Sequence, residues 1–296
     1  MSVVVLGSAN MDLVARLPRP PAVGETVFGS DLVQVPGGKG LNQAVAARRA
    51  GADVAFAGAF GRDAHGDALA AVLAAEGIGA GAVRRVGRPT GVALIEVFAS
   101  GDNAIVVCPG ANAAVQDLGD ADRGLIAGAD FLVMQFELDP AVLLEAARFA
   151  RGHGVRTVLT PAPVVAHDPE LIALTDLLVL NAGEAVQLSG IDDPADAAAA
   201  LSERAGAVVA TLGADGSLLA RDGSVAERLP ARRVQAVDTT AAGDTYAGVL
   251  TARLDAGDDL PEAMRWATAA ASIAVTRPGA SSSMPGEAEI RAVLEG

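Results

Sequence analysis

Apolar strand and amphipathic helix alternate along most of the chain, and no other property narrows the fold as far. "VVVLGS" from Val3 reads as a buried strand, and "LNQAVAARRAGA" from Leu41 sets Ala44, Val45 and Ala47 on one side of a helix that closes near Gly51. "DVAFAG" and "HGDALAAVLAAEG" repeat the unit, the second helix stopping at Gly77, where glycine tolerates a left-handed turn. The series continues through "FLVMQ" (131–135), "AVLLEAARFARGHG", "VRTVLT", "DLLVLN", "PADAAAALSERAG" and "AVVATLG", with further helices after Gly243 and Leu260. This order specifies an α/β domain, a doubly wound, mostly parallel sheet with helices on both faces.

Residues 12–35 and 90–108 break the rhythm. They are rich in Val, Thr, Phe and Ile, are interrupted by Pro and Gly, and "TGVALIEVFASGDNAIVVC" reads as a hairpin turning at "SGDN". A small β lid inserted into a single domain spanning 1–296 is expected. Ligands of doubly wound sheets sit beyond the carboxyl ends of the strands. Asn10 and Asp12 follow the first strand, "GGKGLN" precedes its helix, Glu137 follows "FLVMQ", Asn181 and Glu184 follow "DLLVLN", and "TLGADG" follows "AVVA". These polar groups converge on one edge and predict one cleft.

Composition removes several functions. A formal net charge of −14 and nine aromatics in 296 residues supply neither a cationic phosphate track nor a base-stacking platform, so nucleic acid is not an expected partner. "MSVVVLGSANMD" lacks a basic leader region and no eighteen apolar residues run together, so the expectation is a cytoplasmic protein without a membrane span. The single cysteine, Cys108, excludes an intrachain disulfide and is expected to be a small buried residue near a strand end. His65, His153 and His167 have no ligand-like spacing. Of 22 Lys and Arg residues only Lys39 is lysine. It is either the one lysine left in an Arg-biased chain or a compact ammonium set where a guanidinium would not fit.

Two glycine-containing bends open helices. "GGKGLN" is not a Walker A loop, because Val33 and Gly40 stand where that motif requires Gly and Ser or Thr. In "DTTAAGDTYAG" (238–248), the small residues Ala241, Ala242 and Gly243 leave the N–H groups of 241–244 open to a phosphoryl group, as an anion hole would. Asp244 lies in the first turn, where the helix dipole favours a carboxylate able to take a proton from an attacking hydroxyl. Taken alone, Asp244 reads more readily as an N-cap and Asp238 as a strand-end turn residue.

"GSANMD", "PGGKGLNQAVAARRAGADVAFAG", "TGVALI", "PGANAA", "MQFE", "PAP", "VQAVDTTAAGDTYAG" and "AASIAVTRPGA" occur in this order. Through them the sequence resembles the ribokinase-like family of carbohydrate kinases over nearly its whole length. The resemblance implies a lid that often pairs two subunits as a homodimer, and transfer of the ATP γ-phosphoryl group to a sugar hydroxyl, here the 5-hydroxyl of D-ribose. It implies Asp244 as catalytic base, Ala241, Ala242 and Gly243 as the anion hole, and Asn10, Asp12, Gly38, Lys39, Asn42 and Glu137 around the sugar. Asn181 and Glu184 match an Asn-x-x-Glu element near Mg²⁺ and the phosphates, and Thr211, Gly213, Gly216 and Thr268 fall at the nucleotide. Mg²⁺ would bridge and neutralise the polyphosphate.

The resemblance also implies a K⁺ site at Asp238, Thr240, Ala274, Arg277, Gly279 and Ser283; a salt link between Asp238 and Arg277 is the competing expectation. Thr160 departs from the Asn common before Pro-Ala-Pro, and Thr240 and Tyr246 replace the more usual Ile and Phe. Two other readings compete: a kinase for another small sugar or a nucleoside, with Phe28 and Phe98 as an apolar wall, or a sugar-binding protein of this fold without catalysis. The polar set Asn10, Asp12 and Glu137 favours a bare sugar, and the intact Asp244 favours catalysis.

Overall fold

Val3 and Val5 pack into one apolar cluster and Val4 and Leu6 into a second, so β1 (Val3–Leu6) is buried on both faces. A strand covered by helices on both sides is an unbroken apolar run, which is what "VVVL" is. The computed structural model describes residues 2–100 and 102–296, and its strands form a nine-stranded sheet and a separate four-stranded one.

After β1 come β2 (Asn10–Leu17), β3 (Leu32–Gly37), α1 (Lys39–Arg49), β4 (Val54–Gly61), α2 (Ala64–Glu76) and β5 (Gly79–Val86). They are followed by β6 (Gly91–Phe98), β7 (Asn103–Cys108), α3 (Asp120–Ala127), β8 (Phe131–Gln135), α4 (Pro140–Gly152), β9 (Arg156–Thr160) and α5 (Pro169–Ala173). The last part holds β10 (Leu177–Asn181), α6 (Ala182–Ser189), α7 (Pro194–Ser202), β11 (Val208–Thr211), β12 (Ser217–Arg221) and β13 (Ser224–Leu229). Three helices, α8 (Ala242–Asp255), α9 (Leu260–Ala274) and α10 (Glu287–Glu295), close it. Helix starts are written in the sequence: Asp139, Asp168 and Asp193 each cap a helix whose first residue is Pro.

The large sheet runs β13-β12-β11-β10-β9-β8-β1-β4-β5. Its ladders are parallel from β5 to β11, and β12 and β13 add an antiparallel hairpin. Residues of α1, α2, α8, α9 and α10 cover one face, and residues of α3 to α7 the other. This is the doubly wound sheet expected from the alternation. The chain winds outward from β1 to β5 on one side and from β8 to β13 on the other, so the winding reverses between β1 and β8, where such folds open a crevice.

The small sheet has the order β3-β2-β6-β7, with β2 and β6 parallel, and occupies the segments that break the strand–helix rhythm. Only residues 7–9 separate β1 from β2, so the chain passes almost directly from the large sheet into the small one. Cys108 does not have the burial expected for it. It ends β7, an edge strand whose six residues are all exposed, with no layer packed over them. No helix among the described residues is long and apolar enough to cross a membrane.

Candidate active site

Gly38 has φ +93°, and a Cβ there would fall 2.7 Å from Ala9 Cα and Asn10 N. Only glycine lets the bend before α1 lie on residues 9–10. This approach builds a polar cluster around Glu137, just beyond β8. Its Oε2 accepts from Ser8 Oγ at 2.5 Å, from the Lys39 backbone N–H at 3.2 Å and from Asn10 Nδ2 at 3.5 Å. Asn112 fixes Asn10, donating to its Oδ1 at 2.8 Å while its own Oδ1 accepts from Ala9 N at 3.1 Å. Asp12 lies on β2 beside them. Burial, and then the charges of Glu137 and Asp244, push its carboxyl up to about 7.

Asp244 occupies the first turn of α8, but it is not the cap. Ala241 holds that position in the left-handed region at φ +57°, uncommon for a residue with a Cβ. The Ala242 N–H closes a turn onto Thr239 O at 3.2 Å, whereas those of Ala241, Gly243 and Asp244 have no acceptor among the described residues. The Asp244 carboxylate is gripped from α1: Oδ2 accepts from Asn42 Nδ2 at 3.0 Å and Oδ1 from Gln43 Nε2 at 2.9 Å. Helices α1 and α8 meet this closely because residue 248 is glycine. A Cβ there would fall 2.5 Å from Gln43 O and 2.6 Å from Ala46 Cβ.

Lys39 stands between the two groups. Asp244 above all, then Glu137 and Glu184, raise its pKa against the opposing effect of burial, so the ammonium stays charged. It also lines a cavity of about 230 Å³ whose walls include Glu184, Thr211, Gly243 and Asp244. One carboxylate thus borders both a cluster suited to a polyol and an electropositive helix terminus suited to phosphate.

Residues 1–287 match the pfkB family of carbohydrate kinases. The chain belongs to this family. A ribokinase of Haemophilus influenzae is 38% identical over 302 residues, covering 99% of this chain and 98% of that one. A ribokinase structure from Thermotoga maritima superposes with a TM-score of 0.92 at 34% identity, each chain covered in full. An Arabidopsis thaliana ribokinase complexed with ribose and ATP superposes with a TM-score of 0.93 at 30% identity, covering 100% of this chain and 99% of that one.

In this pfkB-family kinase, a phosphotransferase with an alcohol acceptor, the residues expected at the nucleotide separate into two groups. Asn181, Glu184 and Thr211 line the cavity. Asn181 and Glu184 also form the capping box of α6: Asn181 Oδ1 accepts from Glu184 N at 2.8 Å, and Glu184 Oε2 from Asn181 N at 2.9 Å. That leaves Glu184 Oε1 without a hydrogen-bond partner among the described residues. Gly213 and Gly216 shape the turn between β11 and β12 at φ +60° and +97° and are not walls of this cavity. Neither is Thr268 of α9, whose buried hydroxyl faces Tyr246 instead.

The competing salt link from Asp238 does not form, because Arg277 pairs with Glu289 instead. Asp238 ties two loops together, accepting from Thr240 N through Oδ1 and from Gly279 N through Oδ2, each at 2.9 Å. Burial would raise this carboxyl, but the Thr240 hydroxyl first, and then the two backbone donors, outweigh it and hold it below the usual carboxylate range. Ser283 is buried beside the same loop and donates to Ala280 O at 2.8 Å. Carboxylate, hydroxyl and backbone carbonyl oxygens along residues 238–240 and 274–283 are donors of the hard class that a K⁺ ion takes.

Four polar residues of the site escaped the sequence reading: Ser8, Gln43, Asn112 and Gln135. Each lies inside a quoted motif or strand, but each finds its partner 92 or more residues away, except for bonds from Ser8 to the α1 bend.

Proposed function

We infer that this chain is an ATP-dependent kinase that transfers the γ-phosphoryl group to the 5-hydroxyl of D-ribose. The position of Asp244, shared by the polyol-type cluster and the α8 terminus, carries the reading; the ribokinase relatives, one solved with ribose and ATP, support it. Asn10, Asp12, Gly38, Lys39, Asn42 and Glu137 bind and orient the sugar. Asp244 accepts the proton as the hydroxyl oxygen bonds to the γ-phosphorus and the bond to the ADP oxygen breaks. The open N–H groups at Ala241, Gly243 and Asp244, with the Lys39 ammonium, stabilise the charge on the phosphoryl oxygens during transfer.

Asn181 and Glu184 are the residues here that would hold Mg²⁺, directly or through water, and the ion would supply neutralisation of the phosphate charge. K⁺ at the Asp238 loop would keep the anion hole aimed through Thr240, Ala274, Arg277, Gly279 and Ser283. A homodimer through the lid accords with the exposed apolar side chains of Leu32, Val33, Ile105, Val106 and Val107. A cytoplasmic location accords with the use of ATP.

A nucleoside is disfavoured as acceptor by the placement of the two lid phenylalanines. Phe28 and Phe98 line a separate groove with Arg16, Leu17 and Val97, and none of the cleft residues contributes to it. In a coupled ADP assay over pentoses, fructose and adenosine, D-ribose should give the highest kcat/KM, with the phosphate on its 5-oxygen. Adenosine or fructose exceeding it tenfold, about 1.4 kcal/mol in transition-state binding, would displace ribose from this reading.

A further inference from the structure

Gln43 is 1% exposed and lines no part of the cavity, yet its amide bonds directly to Asp244. Both of its N–H groups are engaged: Nε2 donates to Asp244 Oδ1 at 2.9 Å and to Thr160 Oγ1 at 3.0 Å. Its Oε1 accepts from Gln135 Nε2 at 2.8 Å. Gln135 and Thr160 are the last residues of β8 and β9 and are partners in the parallel ladder. Together they fix which way the Gln43 amide faces. A flipped amide would set donor against donor at Gln135 and turn a carbonyl oxygen toward the Asp244 carboxylate. The departure at Thr160 enters here, since its hydroxyl accepts from Gln43 while donating to Met134 O at 3.4 Å.

We propose that Gln43 is a positioning residue for Asp244, and that Gln135 and Thr160 act through it, so that the ends of two core strands aim the carboxylate at the sugar hydroxyl. The proposal rests on the reading of Asp244 as the base. A carboxylate held at one oxygen by a locked amide cannot swing about its terminal torsion, and alignment of this kind decides how often the bound hydroxyl sits in attacking geometry. Sugar contacts are made by other side chains, so the effect falls on turnover rather than on binding.

The test is steady-state kinetics on Gln43→Met, Gln135→Met and the double variant, with Asp244→Asn alongside and melting temperatures for all. Gln43→Met should lower kcat on the order of 10–100-fold while KM for D-ribose stays within about threefold. Gln135→Met should lower kcat less, and should add nothing in the Gln43→Met background, because it acts through that residue. Unchanged kcat in Gln43→Met beside an inactive Asp244→Asn overturns the positioning role and leaves the base standing. Full turnover in Asp244→Asn removes the base reading and this proposal with it. Additive kcat losses that track melting temperature also overturn it, as purely structural damage. Should Gln43→Met fail to fold, Gln135→Met and Thr160→Val carry the same test: a lower kcat at unchanged KM supports the proposal, and unchanged kcat overturns it.

Discussion

A Cβ at Gly37 would fall 2.2 Å from Oδ2 of Asp12, so this carboxylate lies directly against the β3 backbone. No side chain at residue 37 could leave room for it. Asp12 accordingly sits 9% exposed between two other carboxylates, Glu137 and Asp244, which together with burial raise it from 3.8 to about 7.

That displacement makes stability pH-dependent in a definite direction. Between 3.8 and about 7 the folded chain keeps the Asp12 proton and the unfolded chain has lost it, so this contribution to stability falls as pH rises through that window. Asp12→Asn removes the titration. Its melting temperature relative to the parent should climb from pH 4 to pH 8, by the equivalent of up to about 4 kcal/mol. A difference that stays flat with pH would show that Asp12 titrates in the ordinary carboxylate range.

Lys39→Arg keeps the charge but not the shape. A planar guanidinium must enter a cavity whose walls include Thr160, Ala162, Asp244 and Glu184, where the ammonium fits as a point charge. We expect kcat/KM for D-ribose to fall about tenfold or more, a loss of about 1.4 kcal/mol. Parental kinetics in this variant would mean that the lone lysine reflects composition alone.

Gly248→Ala tests the contact that brings the two helices together. The new methyl would meet backbone atoms of Gln43 and Ala47, which cannot rotate away, so α1 and α8 must separate. Overpacking of this kind costs about 1–3 kcal/mol. The melting temperature should drop and kcat should fall with it, because the bonds from Asn42 and Gln43 to Asp244 cross the same seam. A destabilised variant with parental kcat would show that the site tolerates helix separation.

At constant ionic strength, K⁺ should activate relative to Na⁺ or tetramethylammonium, and Asp238→Ala should abolish the difference. Initial rates in the three salts decide it. Equal rates would leave Asp238 as a purely structural link between the loops at Thr240 and Gly279.

Much of this was legible in the sequence, and the failures share a cause. Buried parallel strands are unbroken apolar runs and helices announce their ends with Asp, Pro and Gly, so the doubly wound sheet could be read locally. Whether a strand is covered is not a local property. "AIVVC" is as apolar as a core strand, yet it lies at an open edge, which is why Cys108 is exposed. Polar pairing is nonlocal as well: Gln43 reads as an ordinary helix residue until the fold places Asp244, 201 positions on, against it. Arg277 likewise chose Glu289, twelve positions on, over Asp238. At Thr268, Gly213 and Gly216 the motif located the loop or helix, but side-chain direction and backbone shape decided which atoms border the cavity.

Lys39 carries the chain's one side-chain amine, and that amine lies at the heart of the site. Acylating reagents that label many lysines on an ordinary enzyme have a single side-chain amine to modify here. The charges around Lys39 keep it protonated and therefore slow to react. Any slow, single addition at Lys39 detected by mass spectrometry is thus a direct count of active sites, and its suppression by sugar or nucleotide would report occupancy without an activity assay.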